Sequence, residues 1–131
     1  MAGPAVLESV TMAGRAERAW VARAFVKGVL GPGHPCGDDA ALLVSELFGN
    51  SVQHARSDAP GETITVAVTA GDGLVRVEVT DRSGVGTPGL RPAGRDAEGG
   101  RGLQLVASLA ARWGWRQCGG RTVTWFELTH G

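Results

Sequence analysis

The feature that most restricts the fold is a pair of alternating segments on either side of Ala70-Gly-Asp-Gly73. Thr63 to Thr69 is β-branched at every position but Ala67. In Leu74 to Asp81, Val75, Val77 and Val79 alternate with Arg76, Glu78 and Thr80. Successive side chains of a strand point to opposite faces, so this pattern makes one face apolar and the other polar. Gly-Asp-Gly between the segments suits a tight hairpin turn. The middle of the chain is therefore an antiparallel hairpin with an apolar face that needs a covering layer.

Helical segments supply that layer. Between Arg15 and Leu30, Val21 and Phe25, then Val26 and Leu30, recur at helical spacing. Gly31-Pro-Gly-His-Pro-Cys-Gly37 reads as a loop. Asp38 or Asp39 suits the N-cap of a second helix that runs to about Ala55. Val6 to Val10 reads as a short first strand and Thr122 to Thr129 as a last one, after a break at Gly119-Gly120. From Leu103 to Trp113 the residues Leu103, Val106, Leu109, Ala110 and Trp113 fall on one helical side. The order β-α-α-β-β-α-β predicts an α+β two-layer sandwich, a mixed sheet with helices on one face. At 131 residues the chain reads as a single domain, 1–131.

The bulk numbers exclude some functions. Acidic and basic residues balance at 13 each, which argues against a general nucleic-acid or polybasic membrane binder. No apolar run is long enough to span a bilayer and the start lacks a signal-peptide core, so the cytoplasm is the expected compartment. Cys36 and Cys118 fit no metal spacing and read as incidental thiols. Lys27 is the only lysine and no P-loop pattern is present, so a bound nucleotide would be held another way.

Four places carry possible chemistry. Glu46-Leu-Phe-Gly-Asn50-Ser-Val-Gln-His54 puts Glu46 and Asn50 on one helical face, with Gln53 and His54 a turn further. A carboxylate, a carboxamide and an imidazole at that spacing can hold a cation and a water or activate a hydroxyl; the plainer reading is a polar helix face. Asp81 shares the parity of Val75, Val77 and Val79, so it ends the strand on the buried face. It either caps the following turn or accepts a hydrogen bond from a ligand such as an adenine amino group. Gly84 and Gly86 follow it and permit close backbone approach to a flat ligand. Glu98-Gly-Gly-Arg-Gly102 precedes a helix, where successive amides form an anion site or merely a loop. Thr124 shares the parity of Phe126 and would present a buried hydroxyl, or serve as an ordinary strand residue.

In this order the pieces resemble the GHKL nucleotide-binding (Bergerat) fold. Glu46 to His54 resembles its N box, Asp81 to Gly86 and Gly99 to Leu103 its two glycine boxes, and Gly120 to Leu128 its closing strand. Ala22-Arg-Ala-Phe-Val26, Ser45 to Ala55 and the small size are similar to the anti-sigma-factor serine kinases of the RsbW/SpoIIAB type. The resemblance implies a serine/threonine protein kinase that uses ATP and Mg²⁺, phosphorylates a STAS-type antagonist and holds a sigma factor, with a homodimer possible. It implies that Glu46 is the general base and Asn50 the Mg²⁺ ligand. Asp81 would receive the adenine amino group, and Gly84 and Gly86 would border the ring. Gly100, Arg101, Gly102 and Leu103 would lie along the phosphates, with His54 and Thr124 close to the pocket. Thr87 to Glu98 would be a lid. Departures are Gly49 beside the metal ligand, Gln53 in place of a common Arg, the altered Arg82-Ser83-Gly84-Val85-Gly86 and a short lid. A nucleotide-binding switch without catalysis is the alternative, and a free-standing histidine-kinase catalytic domain a further one.

Overall fold

The computed structural model describes residues 6–54, 61–82 and 104–131, except for the side chains of His54 and Arg82. In chain order the elements are β1 (Val6–Ala13), a 3-10 turn (Ala16–Arg18), α1 (Ala19–Leu30), α2 (Gly37–His54), β2 (Thr63–Gly71) and β3 (Leu74–Arg82). A helix α3, described over residues 104–109, follows, then β4 (Arg112–Cys118) and β5 (Arg121–Thr129).

The sheet runs β1-β2-β3-β5-β4. Every described pairing is antiparallel, so the sheet expected to be mixed is antiparallel throughout these strands. The reason is the position of β5. β3 and β4 run in the same direction, but β5 lies between them and pairs with both, leaving no parallel ladder. Asp72 and Gly73 both have positive φ, 58° and 74°, and Gly71 pairs with Leu74 across them. That is the two-residue hairpin turn that Gly-Asp-Gly predicts. A side chain at Gly73 would also collide with the His130 carbonyl, 2.8 Å from the position of a Cβ.

α1 and α2 cover one face. α2 turns Ala40, Leu43, Val44, Leu47, Phe48 and Ser51 inward, a stripe at steps of three and four. Beneath lie Ile64, Val66 and Val68 of β2, Val75, Val77 and Val79 of β3, and Phe126 and Leu128 of β5. Burying each such aliphatic or aromatic side chain stabilises the fold by about 1.5–3 kcal/mol. α1 contributes Ala22 and Val26 and stops at Gly31, whose amide closes on the Lys27 carbonyl at 2.9 Å.

Two expectations need correction. Asp38 and Asp39 stand in the first turn of α2, which begins at Gly37, so neither is its N-cap. The helix read from Leu103 to Trp113 is described only over residues 104–109, and Trp113 belongs to β4. Ala110 closes the helix through the Val106 carbonyl, and the Ala111 amide then turns to the Glu127 carbonyl of β5. From there Trp113 and Trp115 alternate with Gly114 and Arg116, and Trp113 packs on the core. Gly114 has its own reason: a Cβ there would come within 3.0 Å of the Trp125 ring.

The outer face carries a polar network. Arg76 donates to Glu127 at 2.7 Å and to Glu78 at 3.0 Å, and Arg112 donates to the other Glu127 oxygen at 3.0 Å. The Arg76 guanidinium also stacks over Trp125, 4.2 Å from its centre. Only 7% of Glu127 is exposed, and the Arg112 hydrogen bond, with help from Arg76, holds its carboxyl below the ordinary 4.5. A depressed carboxyl pKa stabilises the fold above the ordinary value, and that contribution is lost as pH falls through the folded value. Glu127→Gln is therefore expected to lower stability at pH 7 by about 1–3 kcal/mol, the scale of hydrogen bonds to charged groups. Urea unfolding at pH 7 and pH 3 checks this, since the deficit should shrink in acid.

Candidate functional site

The site grows from the polar end of the α2 stripe. Ser51 is one turn beyond Leu47 and Phe48, buried like them, and it lies over the end of β3. There Asp81 continues the row of Val75, Val77 and Val79 and is only 4% exposed. Its register partners are Ile64 of β2 and Thr122 of β5. Asp81 is thus a carboxylate in an apolar sheet face, bonded to Ser51. Burial pushes its pKa up to about 6, and the Ser51 hydrogen bond pulls it partway back.

Three buried polar atoms at this end have no hydrogen-bond partner among the described residues: Asn50 Oδ1, Asp81 Oδ1 and Thr122 Oγ1. Buried polar atoms are nearly always paired, so three orphans together mark a place built to receive something. Asn50 adjoins Ser51, and Glu46 stands one turn before it on the same side of α2, half-buried. Thr124 is buried on β5 opposite Val79, on the face that holds Asp81.

The structure bonds Asp81 to Ser51 of α2, the helix that carries Glu46 and Asn50, and puts Thr124 on the same sheet face. Ser51 and Thr122 join them although their sequence neighbourhoods do not single them out. The only available signal was parity: Thr122 is in step with Thr124 and Phe126, and Ser51 is four residues past Leu47. Gly84, Gly86, Gly100, Arg101, Gly102, Leu103 and the lid Thr87 to Glu98 lie outside the described residues, as does the His54 side chain.

The orphaned atoms fit an adenine nucleotide with Mg²⁺. Asp81 Oδ1 can accept only from a donor, which an amino group provides. Asn50 Oδ1 is a hard oxygen of the kind Mg²⁺ takes as a ligand.

Comparison with known proteins agrees. Residues 4–128 match the histidine kinase-like ATPase domain family. The fold is similar to the RsbU and RsbW domains of Rv1364c from Mycobacterium tuberculosis, with a TM-score of 0.64 and 24% identity over 95% of this chain. It is also similar to the histidine kinase domain of the blue-light activated histidine kinase EL346 from Erythrobacter litoralis, with a TM-score of 0.57 and 21% identity over 87% of this chain. The chain spans 32% of the first of these and 60% of the second. No curated protein matches it. None of the described helices is long and apolar enough to cross a membrane. With α2 and all of the described sheet but Thr129 inside the matched span, the chain belongs to the histidine kinase-like ATPase domain family.

Proposed function

We propose that the domain is a cytoplasmic serine/threonine protein kinase of anti-sigma type, which phosphorylates a STAS-type antagonist protein and alternately holds a sigma factor. The observation that carries the nucleotide site is the set of orphaned atoms, Asp81 Oδ1 and Asn50 Oδ1, at one end of the buried face. The likeness to a structure containing an RsbW domain supports the regulatory branch. ATP would supply the phosphoryl group and Mg²⁺ the charge neutralisation that such transfer needs. Asp81 would hold the adenine amino group and Asn50 the metal. Glu46 would take the proton of the incoming serine or threonine hydroxyl. Gly84, Gly86, Gly100, Arg101, Gly102 and Leu103 would complete the cradle around the nucleotide. Among the described strands β1 is an edge strand with Leu7 exposed, a surface on which a second copy would pair.

The metal assignment has its own test. Asn50→Ala should keep the fold and abolish the tightening of ATP binding by Mg²⁺, read by calorimetry with and without the ion. Equal Mg²⁺ dependence in variant and wild type removes Asn50 from the metal site. A nucleotide-binding switch that transfers nothing is the second reading, favoured by the short stretch between the two glycine boxes.

A further inference from the structure

The far end of the sheet holds a second constellation, built by different elements. The loop from α1 to α2 carries His34 and Cys36. β5 ends at Thr129, which pairs with Leu74 at the start of β3, so His130 leaves the sheet at the end away from Asp81. Seven residue steps along the strand separate Leu74 from Asp81, about 23 Å at the usual rise. The His130 amide donates to the Gly73 carbonyl at 2.9 Å, which ties the tail to the hairpin turn. Its ring meets the His34 ring edge-on, with centres 4.8 Å apart and planes at 77°. His34, Cys36 and His130 each present one ligand atom, all within 4.8 Å of one another.

We propose that His34, Cys36 and His130 form a site for a borderline-soft divalent transition metal, with Zn²⁺ the ion that its donor set suits. Two imidazoles and a thiolate are a zinc donor set, and three protein ligands leave a fourth position open. In tetrahedral geometry such donors stand roughly 3.3–3.5 Å apart, given Zn–N of about 2.0 Å and Zn–S of about 2.3 Å. From 4.8 Å the donors must draw in by roughly 1.3–1.5 Å, and both histidines, unlike the buried Cys36, are only half-buried.

The protonation chemistry is consistent with this. His34 Nδ1 accepts the Cys36 amide at 2.9 Å, so the lone pair of its neutral ring is on Nδ1 and is taken by that amide. Metal uptake exchanges that hydrogen bond for a metal bond. Burial, and then the neighbouring His130, lower the His34 pKa and favour the neutral ring that ligates. Burial, and then Asp39, raise the Cys36 pKa and favour the thiol, so the metal must displace its proton to solvent on binding. Asp39 also adds negative charge near the incoming cation. Asp38, beside it, is already paired with Lys27 at 2.9 Å. The loaded site would fasten the tail after β5 to the loop that leads into α2.

Co²⁺ titration of the metal-free full chain, followed by displacement with Zn²⁺, tests the proposal. The expected result is one equivalent of Co²⁺ with a thiolate-to-cobalt charge-transfer band, release of a proton on binding, and a Tm that rises with Zn²⁺. Cys36→Ser should abolish the band, while Cys118→Ser should keep it. His130→Gln should weaken binding by at least about 10–100-fold, the loss typical of removing even an outer-shell partner. His130 follows the last strand, so this variant keeps the test open if Cys36→Ser fails to fold. No charge-transfer band in the wild type, a band that survives Cys36→Ser, or unchanged affinity in His130→Gln would each overturn the site and leave the two histidines as a packing pair.

Discussion

Glu46→Gln is expected to transfer phosphate to its protein substrate about 10²–10⁴-fold more slowly than the wild type, the usual worth of a general base, while binding ATP with unchanged affinity. A base acts on the hydroxyl proton in the transition state, so its loss lowers turnover and leaves ground-state binding alone. The substitution should not disturb α2. Glutamine is nearly isosteric with glutamate and nearly as good a helix former, and Glu46 is half-buried on the side of α2 that carries Asn50. Calorimetry of ATP paired with single-turnover transfer to the cognate antagonist separates the two effects. Transfer at the wild-type rate by Glu46→Gln would show that Glu46 is not the base. A wild type that binds ATP but transfers nothing would replace the kinase by the switch.

The second large effect concerns Asp81 and has opposite signs with and without ligand. In the free protein its carboxyl titrates near 6 against an ordinary 3.8, because burial disfavours the ionised form. Between these values the unfolded chain ionises first, so the folded state loses stability as pH rises from about 4 to about 6. The full loss corresponds to about 3 kcal/mol at neutral pH. Asp81→Asn cannot ionise. Its stability curve should therefore lack that decline, and at pH 7.5 the ligand-free variant should compare favourably with the wild type. Adenine nucleotides should bind it about 1–3 kcal/mol more weakly, the cost of a lost charge-assisted hydrogen bond. Urea unfolding from pH 4 to pH 8 with calorimetry of ATP reads both. Parallel pH profiles in the two proteins would remove the buried titration from the site.

How far these features could be read in the chain depends on how local their causes are. The β2–β3 hairpin announces itself because alternation and the Gly-Asp-Gly turn act within twenty residues. α2 does so because its inward stripe repeats at helical spacing, and Asp81 was placed on the buried face by parity with three valines. β4 was hidden. Leu103 to Trp113 is apolar at steps of three and four, so it imitates a helix, and only the backbone of β5 turns Arg112–Cys118 into a strand. Ser51 and Thr122 were equally silent, since their roles depend on how α2 sits on β3 and on the register between β3 and β5. The group of His34, Cys36 and His130 is hidden for the same reason, because His130 lies far along the chain from the other two and the fold brings it back to them.

The position of β5 bears on how the molecule is made. It is the last of the described strands in chain order, yet among the described residues it is the only partner of β4 and it fills one side of β3. On a ribosome the β1-β2-β3 sheet and both long helices can assemble first, but β3 then waits with an unpaired edge until residues Arg121–Thr129 emerge. Pairings between distant segments form slowly, and open strand edges invite association with other chains. The nascent domain is therefore most exposed to misassembly just before its final strand arrives, and that strand also brings Thr122 and Thr124 to the site. The strand that closes the edge of β3 is thus also the one that delivers the hydroxyls of Thr122 and Thr124 beside Asp81 and Val79.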